Sequence, residues 1–142
     1  MMVFVDTPIW SLALRRTPSD LSADQKALRR EFGELIGEGR ARLLGPIRQE
    51  ILSGIREEAQ FQRLREHLRA FPDEPLATED YEEAARSNNQ CRRAGIAGSA
   101  IDFLICAAAM RRRWSIFTTD RDFRRYAKHL SIRLHKPRPI KQ

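Results

Sequence analysis

The run Val3-Phe4-Val5 is β-branched and aromatic and stops at an acid, which predicts a short buried strand. Thr7-Pro8 comes next with the make-up of a helix start, Thr7 as N-cap and Pro8 at the first helical position. From Ser22 to Ile36 apolar and charged residues alternate at helical spacing, with Leu28, Phe32 and Leu35 on one face and Gly37 and Gly39 closing the helix. Arg42-Leu43-Leu44 predicts a second short strand, and Gly45-Pro46 opens a helix that carries Ile47, Glu50 and Ile51 as far as Gly54. Amphipathic helices are predicted over 60–71, stopped by Pro72-Asp73-Glu74-Pro75, and over 79–94, with Tyr81, Ala84, Ala85 and Asn88 on one side. Ser99 leads into Ala100 to Met110, which is apolar nearly all round and so reads as a buried helix. Trp114 to Thr119 predicts a strand, 120–127 a short helix, Ile132 to His135 an edge strand, and 136–142 a basic tail with two prolines.

Strands therefore alternate with helical patterns, without internal repeats or a long linker. That order predicts an α/β fold with a mostly parallel central sheet covered by helices, in a single domain over 1–142. Ligands of such sheets bind at the carboxyl ends of the strands. Asp6 comes after Val3-Phe4-Val5 and Asp120 after Ile116-Phe117, so both acids fall at such an end.

Composition narrows the classes. With 142 residues, 42% hydrophobic and 32% charged, the chain has the size and balance of a globular domain, not of a disordered or fibrous chain. No apolar run approaches the roughly 20 residues that a membrane helix needs. The first residues carry an acid at position 6 where a signal peptide is apolar, which makes the cytoplasm the expected compartment. Cys91 and Cys106 fit neither a disulfide framework nor a zinc site and read as buried thiols. Lys and Arg number 26 against 19 Asp and Glu, a net charge of +7 that favours phosphate-bearing partners. The arginine runs Arg92-Arg93, Arg111-Arg112-Arg113 and Arg124-Arg125, taken singly, read as solvated helix faces.

Each acid has two readings. Asp6 can cap the helix that starts at Thr7-Pro8, or face a ligand at the strand end. Glu50 can be a surface glutamate near Arg48, yet it lies between Ile47 and Ile51 on the wheel, where a carboxylate bordering an apolar face needs a partner. Ser99-Ala100-Ile101-Asp102 has the spacing of a capping box, so Asp102 can be held structurally; it also opens the most apolar helix of the chain, where charge is costly. Asp120 can be an N-cap and Asp122 a first-turn acid answering the helix dipole.

Taken together these acids pose a problem that capping does not solve, because carboxylates a few ångströms apart raise each other's pKa values. Mg²⁺ or Mn²⁺ resolves it: these hard ions take oxygen ligands and bridge to phosphate. One such ion can activate water against a phosphodiester, and a pair can also stabilise the leaving oxygen. Thr118 or Thr119 could orient a water there. Other chemistries lack their residues. There is no glycine-rich phosphate loop, HExxH, CxxC or Gly-x-Ser-x-Gly, and His67, His129 and His135 lie among charged residues as surface histidines.

Five stretches then resemble one family in order and spacing: Val5-Asp6-Thr7; Arg48-Gln49-Glu50-Ile51-Leu52-Ser53-Gly54; Gly95-Ile96; Asp102-Phe103-Leu104-Ile105-Cys106-Ala107-Ala108-Ala109; and Ile116-Phe117-Thr118-Thr119-Asp120-Arg121-Asp122-Phe123. They are similar to PIN-domain proteins, and within them to the VapC-type toxins of bacterial toxin–antitoxin pairs. The resemblance implies a three-layer α/β/α sandwich and Mg²⁺- or Mn²⁺-dependent endoribonuclease activity. It matches Asp6, Glu50, Asp102 and Asp120 to the family's catalytic, metal-binding acids, and Asp122 and Thr118 to supporting positions. It further implies an RNA substrate, a cognate antitoxin and a homodimer. Cys106 stands where many relatives carry alanine, a small-for-small exchange. The segment 60–89 matches no pattern of the family and reads as helical covering. Two rivals stay open: a PIN nuclease of RNA maturation or decay with no antitoxin, and a non-catalytic nucleic-acid-binding module whose acids are caps.

Overall fold

A computed structural model of the chain describes residues 1–14 and 17–139. Its strands are β1 (Val3–Val5), β2 (Ala41–Arg42), β3 (Ser115–Phe117) and β4 (Arg133–Leu134). Its helices are α1 (Thr7–Leu14), α2 (Ala23–Gly37), α3 (Gly45–Leu52), α4 (Glu58–Leu68), α5 (Thr78–Arg93), α6 (Ala100–Arg112) and α7 (Asp122–Tyr126), with a 3₁₀ turn at Pro18–Asp20. The strands form one sheet in the order β2-β1-β3-β4, every pairing parallel. This is the expected α/β fold. Of the expected basic tail, residues 140–142 lie outside the described residues.

Every residue of β1 and β3 is buried, although successive side chains point to opposite faces. Both faces of the central sheet are therefore covered, as parallel sheets require. The helix α6 lies against β1 and β3, with α5 packed along it, while α1 packs against α2 and α3. Trp10 of α1 ties these layers to the sheet. Its Nε1 donates to the Val5 carbonyl at 2.9 Å, and its ring stands edge-on to Phe32 and Phe71 with centroids 4.8 and 4.9 Å apart. Each such large side chain contributes roughly 1.5–3 kcal/mol by leaving water.

Several expectations are adjusted. Ser22 caps α2 in a full capping box with Gln25. Thr7, by contrast, is the first helical residue, with the Asp6 carbonyl accepting the Ile9 and Trp10 N–H groups, and its buried hydroxyl has no partner among the described residues. The second strand is Ala41–Arg42, since Leu43 turns away to bridge Asp73 and accept from the Glu74 N–H. On α5 the buried residues are Asp80, Ser87 and Cys91; Tyr81, Ala84, Ala85 and Asn88 instead line an open groove with the start of α6.

Two buried carboxylates explain why distant segments stay together. Asp80 Oδ1 accepts from Arg111 Nη1 at 2.7 Å and Arg112 Nη1 at 2.8 Å, and Oδ2 from Arg112 Nη2 at 3.0 Å. Arg112 is therefore tied to a buried acid and leaves the solvated face expected of the run, whereas Arg111 reaches the same acid from an exposed position and Arg113 is exposed as expected. Glu31 accepts from Arg138 Nε at 2.8 Å and lies 3.2 Å from His135 Nε2, which straps the segment after β4 across α2. His135 is therefore no surface histidine; its ring also meets Phe117 edge-on at 5.2 Å. His67 and His129 are exposed as expected. Cys91 and Cys106 are free, buried thiols. Among the described residues no helix is long and apolar enough to cross a membrane.

Candidate active site

The parallel pairing of Val5 with Phe117 brings the carboxyl ends of β1 and β3 together, and the Asp6 N–H donates to the Phe117 carbonyl at 2.9 Å. The residues just beyond the two strands therefore meet. Thr118 donates its hydroxyl to Asp6 Oδ2 at 2.7 Å, and Thr118 Oγ1 accepts the Asp120 N–H at 3.0 Å. Asp120 Oδ1 in turn accepts the Asp122 N–H at 2.9 Å, at the start of α7. Thr118 thus joins the two strand-end acids through one hydroxyl.

The third contributor is the first turn of α6. Ser99 accepts the Asp102 N–H at 3.0 Å, but the reciprocal half of the expected capping box is absent. The Asp102 carboxylate is turned elsewhere: Oδ2 accepts the Tyr126 hydroxyl at 2.7 Å. One carboxylate oxygen each from Asp102, Asp120 and Asp122 lie within 4.8 Å of one another. Asp6 stands outside that trio and connects to it through Thr118.

The electrostatics show acids that lack compensation. Asp6 is 7% exposed, and burial pushes its carboxyl up to about 6. Hydrogen bonds from Thr118 and the Thr7 N–H oppose that shift, whereas the charges of Asp102 and Glu50 add to it. Burial likewise raises Asp102, against the Tyr126 and Ser99 hydrogen bonds and with the charges of Asp120 and Asp122. Burial, then the bond to Asp102, raises the Tyr126 hydroxyl, which keeps it a donor. Among the described residues the one basic side chain paired with any of these acids is Arg125, 3.0 Å from Asp122 on the exposed surface. Clustered carboxylate oxygens short of positive charge are the donor set of a hard divalent cation, and the residues present fit one.

Of the acids read from the sequence, Asp6, Asp102 and Asp120 meet here, and Asp122, read as supporting, stands within the closest trio. Glu50 does not join them by contact. It is exposed on α3 and reaches the site only as a charge felt by Asp6. Its place on the helical wheel called for a partner, but the side chain faces solvent. Its neighbour Arg48 turns to Asp73 at 2.8 Å and to the carbonyls of Leu68 and Phe71. Sequence reasoning missed Tyr126, which reads as one more apolar position on the inner face of α7.

The chain belongs to the PIN-domain family, whose pattern matches residues 3–129. No curated protein matches the sequence as a relative. Among solved structures, FitAcB from Neisseria gonorrhoeae is similar in fold, with 19% identity, a TM-score of 0.73, and coverage of 96% of this chain and 98% of its own. VapBC2 from Rickettsia felis, bound to a DNA fragment from its promoter, aligns with 13% identity and a TM-score of 0.72 over 95% of this chain and 98% of its own. A toxin–antitoxin complex from Klebsiella pneumoniae aligns with 19% identity and a TM-score of 0.60 over 99% of this chain and 100% of its own.

Proposed function

We propose that this PIN-domain chain is a Mg²⁺- or Mn²⁺-dependent endoribonuclease, single-domain over 1–142, that acts in the cytoplasm as the toxin of a toxin–antitoxin pair. The observation that carries the reading is the group of carboxylate oxygens beyond the ends of β1 and β3, three of them within 4.8 Å, with Arg125 on the exposed surface the one basic side chain paired with them among the described residues. Asp6, Glu50, Asp102 and Asp120 are the proposed metal-binding and catalytic acids, with Asp122 and Thr118 in support. When bound, the metal polarises a phosphodiester and activates water toward it. The protein's share is positioning. Thr118 fixes the Asp6 carboxylate against Asp120, Tyr126 fixes Asp102, and exposed Arg and Lys side chains hold the RNA backbone. The cognate antitoxin is supported by the fold shared with a toxin–antitoxin complex, and a homodimer is proposed beside it.

The test is cleavage of a mixed pool of structured RNAs with Mn²⁺ and with excess chelator, beside thermal unfolding under both conditions. Cutting is expected with metal and none in chelator. Metal at one hundred times its Kd should add about 2.7 kcal/mol of stability. Calorimetry that finds no Mn²⁺ binding would overturn the metal reading, and intact RNA bound equally under both conditions would favour a non-catalytic binding module.

Glu50 gives a second expectation. Because it is exposed and its side chain makes no hydrogen bond among the described residues, Glu50→Gln should leave stability within about 0.5 kcal/mol, yet slow Mn²⁺-dependent cleavage by on the order of tenfold or more. Urea unfolding together with single-turnover cleavage checks both halves. Unchanged cleavage would remove Glu50 from the site.

A further inference from the structure

Tyr126 is fully buried and lies 24 residues from Asp102, yet its hydroxyl donates to the Asp102 carboxylate at 2.7 Å. Its ring is clamped on two sides, by Phe103 with centroids 5.0 Å apart and by Phe123 at 5.2 Å. The two phenylalanines come from the elements that carry two of the trio: Phe103 is next to Asp102 on α6, and Phe123 is next to Asp122 on α7. The hydroxyl is closed in from a third direction by Gly98. A Cβ at that position would sit 2.5 Å from the Tyr126 hydroxyl oxygen and 2.9 Å from the Phe103 ring. Those are rigid aromatic atoms, so a methyl group there must displace the tyrosine.

From this we infer that Tyr126 is a positioning residue of the metal site: its hydroxyl holds one oxygen of Asp102 and turns the other toward Asp120 and Asp122, and Gly98 is small so that the hydroxyl can stand there. The inference rests on the proposed metal reading of Asp102. A carboxylate on the first turn of a helix has free rotation about its side-chain torsions unless something holds it. Ser99, on the exposed side, accepts the Asp102 N–H and also lowers the carboxyl by a hydrogen bond. The tyrosine hydroxyl, by contrast, is buried and held by its clamped ring, and so is the rigid hold on the carboxylate plane. Groups that orient a metal's ligands in this way typically account for about 10–100-fold in affinity. The tyrosine joins α7 to α6 directly, so it also sets how far Asp122 lies from Asp102.

The test is Mn²⁺ titration by calorimetry on wild type, Tyr126→Phe and Gly98→Ala, each also unfolded thermally in chelator. Tyr126→Phe keeps the ring and its aromatic contacts and removes only the hydroxyl. Its Mn²⁺ affinity should fall about tenfold, while its melting temperature in chelator stays within a few degrees of wild type. Gly98→Ala should weaken Mn²⁺ binding to a similar extent by pushing the hydroxyl off Asp102. Adding it to Tyr126→Phe should weaken binding little further, because the bond is already gone. Folded Tyr126→Phe that binds Mn²⁺ within twofold of wild type would overturn the inference, as would a Gly98→Ala effect that adds in full to that of Tyr126→Phe. Wild type that binds no Mn²⁺ overturns the metal reading itself, and the inference with it; a normal wild type with a normal Tyr126→Phe overturns the inference alone.

Discussion

Asp6→Asn is expected to abolish Mn²⁺-dependent RNA cleavage, by roughly a thousandfold or more as for loss of other groups essential to a catalytic site, while making the metal-free protein more stable at pH 7. The two effects have one cause. The Asp6 carboxyl is buried at the end of β1 and pushed up to about 6, against an ordinary value near 4. Ionising it inside the fold therefore costs more than in the unfolded chain, by about 3 kcal/mol at most for a difference of that size. Asparagine keeps the shape and can still accept the Thr7 N–H, but removes the charge that a cation needs. Some of the gain is offset because the amide pairs less well than the carboxylate with the Thr118 hydroxyl, so a net rise of roughly 1–2 kcal/mol is expected.

The sign with pH is set by the direction of the shift. A carboxyl raised in the folded state contributes stability below its unfolded value, near pH 4, and that contribution is lost as pH rises through about 6. In chelator, the stability of Asp6→Asn relative to wild type should therefore grow between pH 4 and 7. Adding Mn²⁺ at pH 7 should reverse the order, because only wild type gains from binding. Urea unfolding at several pH values, with and without metal, measures all of this on one pair of proteins. An Asp6→Asn protein that is less stable than wild type in chelator at pH 7 would mean that the carboxylate is a structural cap. One that cleaves RNA normally would remove Asp6 from the active site.

The strand-end acids were legible because a single rule reveals them. An apolar run that stops at an acid, in a chain where strands alternate with helices, places that acid at the carboxyl end of a parallel strand, and β1 with Asp6 obeys this rule directly. Asp120 obeys it a short step beyond the end of β3, delivered by Thr118. What the sequence could not display is anything that depends on a partner far along the chain. Glu31 and Asp80 carry no mark of their role along the chain, because the arginines that neutralise them lie 107 and 31–32 positions away. Tyr126 is 24 residues from Asp102, and its hydroxyl looks from the sequence like the incidental end of a core side chain. Glu50 shows the opposite failure. Its place on the wheel between two buried isoleucines suggested enclosure, but α3 is short and its outer side meets solvent. Periodicity gives the face of a helix; the depth at which that face is buried is set by neighbours it does not mention.

Asp80→Asn, which leaves the side-chain volume almost unchanged, should nevertheless be strongly destabilising. Asp80 is fully buried at the start of α5, where it accepts the Ala77 N–H at 2.8 Å and both Arg111 and Arg112 from the end of α6. Arg112 is itself mostly buried and is held further by the Pro75 carbonyl at 3.0 Å, Glu74 at 3.4 Å and the Trp114 ring at 5.8 Å. The amide can keep the backbone cap and one arginine bond, but it leaves two guanidinium charges without their shared carboxylate. Breaking a buried pair from one side costs about 3–5 kcal/mol, and the partial exposure of Arg111 argues for the lower end. A loss of roughly 3 kcal/mol corresponds to on the order of 10 °C in melting temperature for a domain of this size. Arg112 hydrogen bonds hold the Asp80 carboxyl well below the usual carboxylate range despite its burial. Its contribution is therefore present above about pH 4 and fades as pH falls further. Wild type and Asp80→Asn should differ by the full amount at pH 7, and the difference should narrow progressively as pH falls below about 4 in urea unfolding. A constant difference across that range would assign the loss to packing, and a difference under about 1 kcal/mol at pH 7 would mean that the arginines, and not the acid, hold α5 against α6.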